Sequence, residues 1–221
     1  MSNVIQQYYN ERGPTYGMNS LRREKVLRLA SEEGLEGKRI LDIGCASGYF
    51  GRELKRDNNT VIGIDISPTL VQEARKNINE AYVLDIENED WPRDFKEKKF
   101  DLIICAEVIE HLFDQESFLK NVQKILKEEG GLILTTPNFL LWNNRIRMLF
   151  GQYSLKEVFY DKSHIHLMSY NGLREKIRNS GLAIVKEDNI WYPNKLENIR
   201  FLLPPNLFVF QTIIKLEVKK V

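Results

Sequence analysis

Glu107-Val108-Ile109-Glu110-His111 follows an apolar segment, and two further histidines, His164 and His166, stand well downstream. Two carboxylates with one or two imidazoles suit two chemistries. They bind a divalent cation that orients an acceptor hydroxyl and lowers its pKa. Alternatively, His111 takes that proton itself as a general base near neutral pH. A third reading makes Glu110 and His111 only a cap for the turn before Asp114. The metal-free base is preferred here, because His164 and His166 fall in the least regular part of the chain. A second set of residues builds a pocket. Asp42-Ile43-Gly44-Cys45-Ala46-Ser47-Gly48 is followed by Val61-Ile62-Gly63-Ile64-Asp65-Ile66-Ser67-Pro68. Glycines admit backbone close to a ligand, and an acid at the second strand's tip accepts hydrogen bonds from ribose hydroxyls. Asp65 follows Gly44 by roughly the twenty residues that a βαβ unit requires. Asp42 stands where a pyrophosphate is repelled and a cationic ligand is welcome.

These residues need a scaffold that brings strand ends together. Ile40–Ile43, Val61–Ile64, Ala81–Leu84, Phe100–Cys105 and Leu132–Thr136 read as strands apolar on both faces, alternating with helices. That pattern specifies a parallel sheet covered on both sides. Met18–Glu33 and Tyr49–Arg56 have helical spacing, Ser67-Pro68 starts another helix, Asp114 caps one ended by Gly130-Gly131, and Ser169 caps the last. Leu182–Asp188 and Leu207–Lys219 follow as two long strands without a helix between them, an antiparallel pair at the sheet edge. Asn138 to Met168 has no clean period; its Trp142, Leu149 and Phe150 around Arg145 and Arg147 read either as a lid over an aromatic or lipid-like acceptor or as a helix packed on the sheet.

Composition narrows the class. The chain has 221 residues, 43% hydrophobic and 29% charged, with a formal net charge of +1. This balance gives no electrostatic case for non-specific nucleic-acid or acidic-lipid binding by the chain as a whole. Cys45 and Cys105 lie in apolar or glycine-rich surroundings and read as buried, reduced thiols. Neither a signal peptide nor the apolar run of about eighteen residues that spans a membrane is visible, so a cytoplasmic location is expected.

Leu41-Asp42-Ile43-Gly44-Cys45 with Gly48, the acid Asp65, the pair Asp85-Ile86, and Asp101-Leu102-Ile103-Ile104 leading into Glu107 resemble the class I S-adenosylmethionine-dependent methyltransferases. The likeness runs from about Arg39 to Asn138; Ala46, where the family often has glycine, is a small departure. The resemblance implies a Rossmann-like, doubly wound, mostly parallel sheet of seven strands with a C-terminal antiparallel β-hairpin. It implies S-adenosylmethionine as cofactor and S-adenosylhomocysteine as product. It further implies that Gly44, Cys45, Ala46 and Gly48 offer backbone to the methionine and ribose portions. Asp65 would hold the ribose, Ile66 and Ile86 the adenine ring, Asp85 the adenine amino group, Glu107 the methionine moiety or acceptor, and His111 the acceptor. The Glu-x-x-Glu-His spelling is similar to the ubiquinone-biosynthesis O-methyltransferases and to small-RNA 2′-O-methyltransferases, where such a set with a later histidine holds a metal. Related enzymes also cover the cofactor with an N-terminal segment, a role for Tyr8, Tyr9 and Tyr16.

The expectation is therefore one domain: cover and helix over 1–38, cofactor-binding core over 39–137, acceptor lid over 138–168, and helix with hairpin over 169–221. The acceptor is a small molecule taking the methyl group on O or N. A metal-assisted RNA enzyme and a catalytically silent S-adenosylmethionine-binding module are the alternatives. A nicotinamide oxidoreductase is disfavoured by Asp42 and by the absence of G-x-G-x-x-G.

Overall fold

The strands are β1 (Arg39–Ile43), β2 (Thr60–Asp65), β3 (Glu80–Val83), β4 (Phe100–Ala106), β5 (Leu126–Pro137), β6 (Leu182–Glu187), β7 (Ile190–Trp191) and β8 (Val209–Val218). They form one sheet in the order β3-β2-β1-β4-β5-β8-β6, with β7 also paired to β8. The first five strands run parallel, and β8 runs antiparallel to β5, β6 and β7. Among the described residues the sheet holds the seven expected strands in line and one more off that path. The addition is the two-residue β7, made when Ile190 and Trp191 pair with the part of β8 that β6 leaves unpaired. The computed structural model describes residues 7, 19–32, 34–55, 58–88, 90–95, 98–152, 164–166 and 168–219. The suggested cover by Tyr8, Tyr9 and Tyr16, and positions 153–163 of the suggested lid, lie outside the described residues.

Alternation along each strand divides the core. Ile40, Val61, Leu102, Ile104, Ile133 and Ile213 pack with α1 (Ser20–Ser31), α2 (Tyr49–Leu54) and α3 (Pro68–Ala74) on one face. Leu41, Ile43, Ile103, Cys105, Leu132 and Leu134 pack on the other with Trp91, Phe95, α4 (Gln115–Ile125) and α6 (Tyr170–Asn179). Both cysteines are buried and free. The edge strand β3 departs from the expected pattern: Tyr82 and Val83 are exposed, because β3 ends the sheet and, among the described residues, no further strand pairs with it.

Local signals account for the helix starts. Asn19 accepts from Leu21 N at 3.0 Å and Arg22 N at 3.2 Å, Ser67 Oγ from Leu70 N at 3.3 Å, Asp114 from Ser117 N at 2.9 Å, and Ser169 Oγ from Gly172 N at 3.0 Å. The Gly130-Gly131 pair does not end a helix. Helix α4 stops at Ile125, and Leu126 already pairs with Phe100. The next pair is Leu102 with Gly131, so the residues between bulge outward. A Cβ on Gly130 would lie 2.7 Å from the Phe100 carbonyl oxygen, so glycine is required there by close backbone approach.

After β5 the chain turns into α5 (Trp142–Leu149), which has no fully buried residue. A 3₁₀ segment (Asn194–Leu202) and the short α7 (Pro205–Phe208) precede β8. Because β8 is antiparallel to β5, with Pro137 opposite Gln211, these late elements and α5 gather at one end of the sheet. That end is where β1, β2 and β4 deliver Gly44, Asp65 and Glu107.

Candidate active site

The turn after β1 is held open by backbone geometry. Gly44, Ala46 and Gly48 have φ of 70°, 45° and 80°. A Cβ on Gly44 would lie 2.4 Å from Val108 Cγ2, so this turn and the loop after β4 touch. Gly44 N and Cys45 N both donate to the Ile64 carbonyl oxygen, at 2.8 and 3.1 Å, and Gly48 N donates to Cys45 O at 2.8 Å. Ala46 N donates to Asp65 Oδ2 at 2.9 Å, and Ser67 N donates to Asp65 Oδ1 at 2.9 Å. The N–H groups of Gly44, Cys45, Ala46 and Gly48 are thus consumed internally, and what these four residues can present to a ligand is carbonyl oxygen. Such a rim suits a cation and not a pyrophosphate.

Two carboxylates lie beneath it. Asp42 is buried, and its Oδ2 has no hydrogen-bond partner among the described residues. Burial, then the neighbouring Asp65 charge, push its pKa up to about 7 against a backbone hydrogen bond from Gly51. Burial likewise raises Asp65, opposed by the N–H groups of Ser67 and Ala46. A carboxyl whose folded pKa exceeds its unfolded value, ~3.9, costs stability increasingly as pH rises between the two. In the ligand-free protein this cost is complete only above about 7. Asp42→Asn is therefore expected to reduce the fall in unfolding free energy between about pH 4 and about pH 7. Urea titrations across that range check it, and identical slopes for variant and parent would contradict it.

The loop after β4 carries the acid–imidazole group. Glu107 has φ 58°, a left-handed conformation seldom adopted by a residue with a side chain. It is clamped there: its N–H donates to both Thr135 O (3.1 Å) and Thr135 Oγ1 (3.2 Å), and Thr135 Oγ1 donates to Glu107 Oε1 at 2.8 Å. Arg22 of α1 pairs with Glu107 Oε2 at 3.1 Å. Glu110, on a 3₁₀ turn (Ile109–His111), is buried. Its Oε2 accepts from Thr136 Oγ1 at 3.0 Å, while Oε1 has no hydrogen-bond partner among the described residues and lies 3.9 Å from His164 Nε2. Burial, then the charge of Glu107, raise the Glu110 pKa well above the carboxylate range. The His111 and His164 rings are 4.7 Å apart, and one ligand atom from each of Glu110, His111 and His164 falls within 4.8 Å of the others. Ile165 N and His166 N donate to the Glu110 carbonyl oxygen, which fixes His164 beside it.

A model of the methyltransferase domain matches residues 16–187. The chain belongs to the methyltransferase-domain family. Among curated relatives of this methyltransferase, the ubiquinone biosynthesis O-methyltransferase of Actinobacillus pleuropneumoniae serotype 5b (strain L20) is 31% identical over 150 residues, 65% of this chain and 63% of that protein. The enzyme of the same description from Coxiella burnetii (strain Dugway 5J108-111) is 29% identical over 140 residues, 62% of this chain and 59% of that one. The alignments therefore span less than two thirds of these relatives. Among solved structures, magnesium protoporphyrin IX methyltransferase from Synechocystis PCC 6803 with bound SAH superposes with a TM-score of 0.67 at 15% identity, covering 100% of both chains. An N-methyltransferase from Bradyrhizobium japonicum WM9 in complex with S-adenosyl-L-homocysteine gives 0.66 at 16% identity, covering 99% of each. The fold of this methyltransferase is that of the class I S-adenosylmethionine-dependent enzymes.

Within the methyltransferase, the suggested site residues divide into groups. Asp42, Gly44, Cys45, Ala46, Gly48 and Asp65 sit together where β1 and β2 end, and Ile66 follows directly, half-buried. Asp85 and Ile86 are half-buried beyond β3, with Asp85 Oδ1 accepting from Glu87 N at 3.0 Å. Glu107 precedes, and His111 ends, the turn that carries Glu110. Of the two downstream histidines only His164 joins the cluster; His166 stands apart from it. Arg22, Thr135 and Thr136 escaped sequence reasoning. Arg22 reads as one polar position of an ordinary helix, and the threonines as strand formers; no local signal marks any of the three.

Proposed function

We propose that this methyltransferase moves the methyl group of S-adenosylmethionine onto an oxygen or nitrogen of a small-molecule acceptor and releases S-adenosylhomocysteine. One observation carries the reading: a cation-favouring half-site at Gly44 touches a proton-accepting half-site at Glu110 and His111 through Val108, at the carboxyl ends of parallel strands. The buried carboxylate of Asp42 and the turn's carbonyl oxygens favour the sulfonium and the α-ammonium group. Asp65 takes the ribose hydroxyls, each of its oxygens keeping capacity beyond one backbone N–H. Ile66 and Ile86 pack the adenine, and Asp85 accepts its amino group. The Glu107–Arg22 pair offers complementary charges to the zwitterionic end of the cofactor.

The acceptor atom attacks the methyl carbon in line with the departing sulfur. His111 receives the acceptor's proton, and positioning with exclusion of water supplies much of the acceleration. The name of the curated relatives, ubiquinone biosynthesis O-methyltransferase, supports oxygen as the atom methylated. A screen with labelled S-adenosylmethionine against quinol, catechol, sugar, lipid and RNA acceptors tests the reading. Cofactor binding with no labelled product from any class would favour a silent binding module instead.

A second reading has an observation of its own. The unpartnered Glu110 Oε1, buried beside His111 and His164, is a fitting donor set for a divalent transition metal. When bound, such an ion would orient an acceptor hydroxyl and acidify it. Glu107, already held by Arg22 and Thr135, is a weaker candidate ligand than its spacing implies. If a metal assists, chelator abolishes turnover, Mn²⁺ or Co²⁺ restores it, and His164→Ala shares the phenotype of Glu110→Ala. If His111 acts alone, chelator changes nothing; that is the outcome we expect.

A further inference from the structure

We propose that the protein docks on an anionic lipid surface through an apolar rim formed by α5 and the 194–202 segment, at the mouth of the acceptor side. The rim is unusual for a soluble face. Leu149 is 81% exposed, Phe150 71%, Phe201 80% and Leu202 70%. Ile146 and Ile199 are exposed beside them in sequence. Single exposed hydrophobes are ordinary, but such a concentration marks a surface that meets another phase.

Both parts adjoin α7, which follows the 194–202 segment directly and is bonded to α5. Arg145 of α5 donates from Nε to Leu140 O at 2.7 Å and from Nη2 to Asn206 O at 3.4 Å. Asn138 Nδ2 donates to Val209 O at 2.7 Å and Asn138 N to Phe210 O at 3.0 Å. Both parts therefore project from the same end of the β5–β8 pair, the end that carries Thr135, Thr136 and the acid–imidazole group.

Charge decides the occupant. Residues 138–152 contain Arg145 and Arg147 and no acid, and residues 192–210 contain Lys195 and Arg200 with Glu197 as their one acid. Glu197 is turned inward to Lys25 Nζ at 2.7 Å, so the exposed Arg147, Lys195 and Arg200 leave the rim basic although the whole chain is nearly neutral. Aromatic and aliphatic side chains interleaved with arginine and lysine match the boundary of a bilayer bearing anionic headgroups. A second copy of this chain would set these cations against one another. Docking would place the acceptor opening against the membrane, where a lipid-like acceptor resides; that consequence rests on the methyl-transfer reading, whereas the docking itself does not.

Co-sedimentation of the full chain with phosphatidylcholine vesicles, with or without phosphatidylglycerol, tests the proposal. Partition onto the mixed vesicles is expected to exceed that onto phosphatidylcholine by about tenfold or more, and to weaken with salt. The paired changes Leu149→Ser with Phe150→Ser, and Phe201→Ser with Leu202→Ser, should each lower partition about tenfold. Arg147→Glu with Arg200→Glu should abolish the preference for anionic vesicles. S-adenosylmethionine binding by calorimetry on the same preparations reports an intact fold, since none of these side chains reaches the core. No sedimentation with the mixed vesicles, or partition indifferent to the paired changes, overturns the proposal. So does a dimer in solution that the same changes dissolve without any vesicle binding. Failure of cofactor binding in the parent protein would instead count against the methyl-transfer reading alone.

Discussion

Asp65→Ala is expected to weaken S-adenosylmethionine binding by about 2 to 4 kcal/mol, because charge-assisted hydrogen bonds to two ribose hydroxyls are lost together. The same change removes the acceptors for Ala46 N and Ser67 N, so part of the loss arises from a loosened turn. Asp65→Asn separates the two contributions. It keeps one side-chain oxygen for the turn and discards the charge, and its loss should be the smaller. Isothermal calorimetry with S-adenosylmethionine and S-adenosylhomocysteine checks both variants. Unchanged affinity in Asp65→Ala would remove Asp65 from the cofactor site.

His111→Ala has the larger effect on turnover. Loss of a positioned general base should lower kcat about 100- to 10,000-fold on whichever acceptor is found, with cofactor affinity nearly unchanged. The parent's pH–rate profile should rise through a single histidine-like titration. Glu110 must then act by holding its neighbours. Its carboxyl lies against His164, and its carbonyl oxygen takes two N–H groups from the segment that carries His164. An equal fall in cofactor binding and turnover for His111→Ala would assign the imidazole a structural role.

Much of this protein was legible in its sequence, and the legible parts share a physical cause. Strands β1, β2 and β4 are short apolar runs that only a doubly covered sheet can bury, and they lie at its centre. The caps Ser67, Asp114 and Ser169 bond to N–H groups three positions away, so neighbouring residues suffice to specify them. The Gly44 turn and Asp65 belong to one βαβ unit and were readable for the same reason.

What the sequence left open depends on partners far along the chain. The start of β5 at Leu126 is decided by pairing with Phe100, a contact that overrides the helix-ending habit of Gly130-Gly131. Strand β7 exists because β8 has an unpaired stretch to offer. Arg22 is recruited to Glu107 once α1 packs over the sheet; Lys25, bonded to Asp188 Oδ1 at 3.0 Å, Asn189 O at 3.1 Å and Glu197 at 2.7 Å, anchors that helix to the chain's late elements. Which histidine joins Glu110 is likewise settled by backbone bonds from Ile165 and His166, not by spacing. A local sequence encodes preferences for helix, strand and turn within a few residues. Placing a buried charge beside its partner requires the folded sheet, since only burial makes such pairing obligatory.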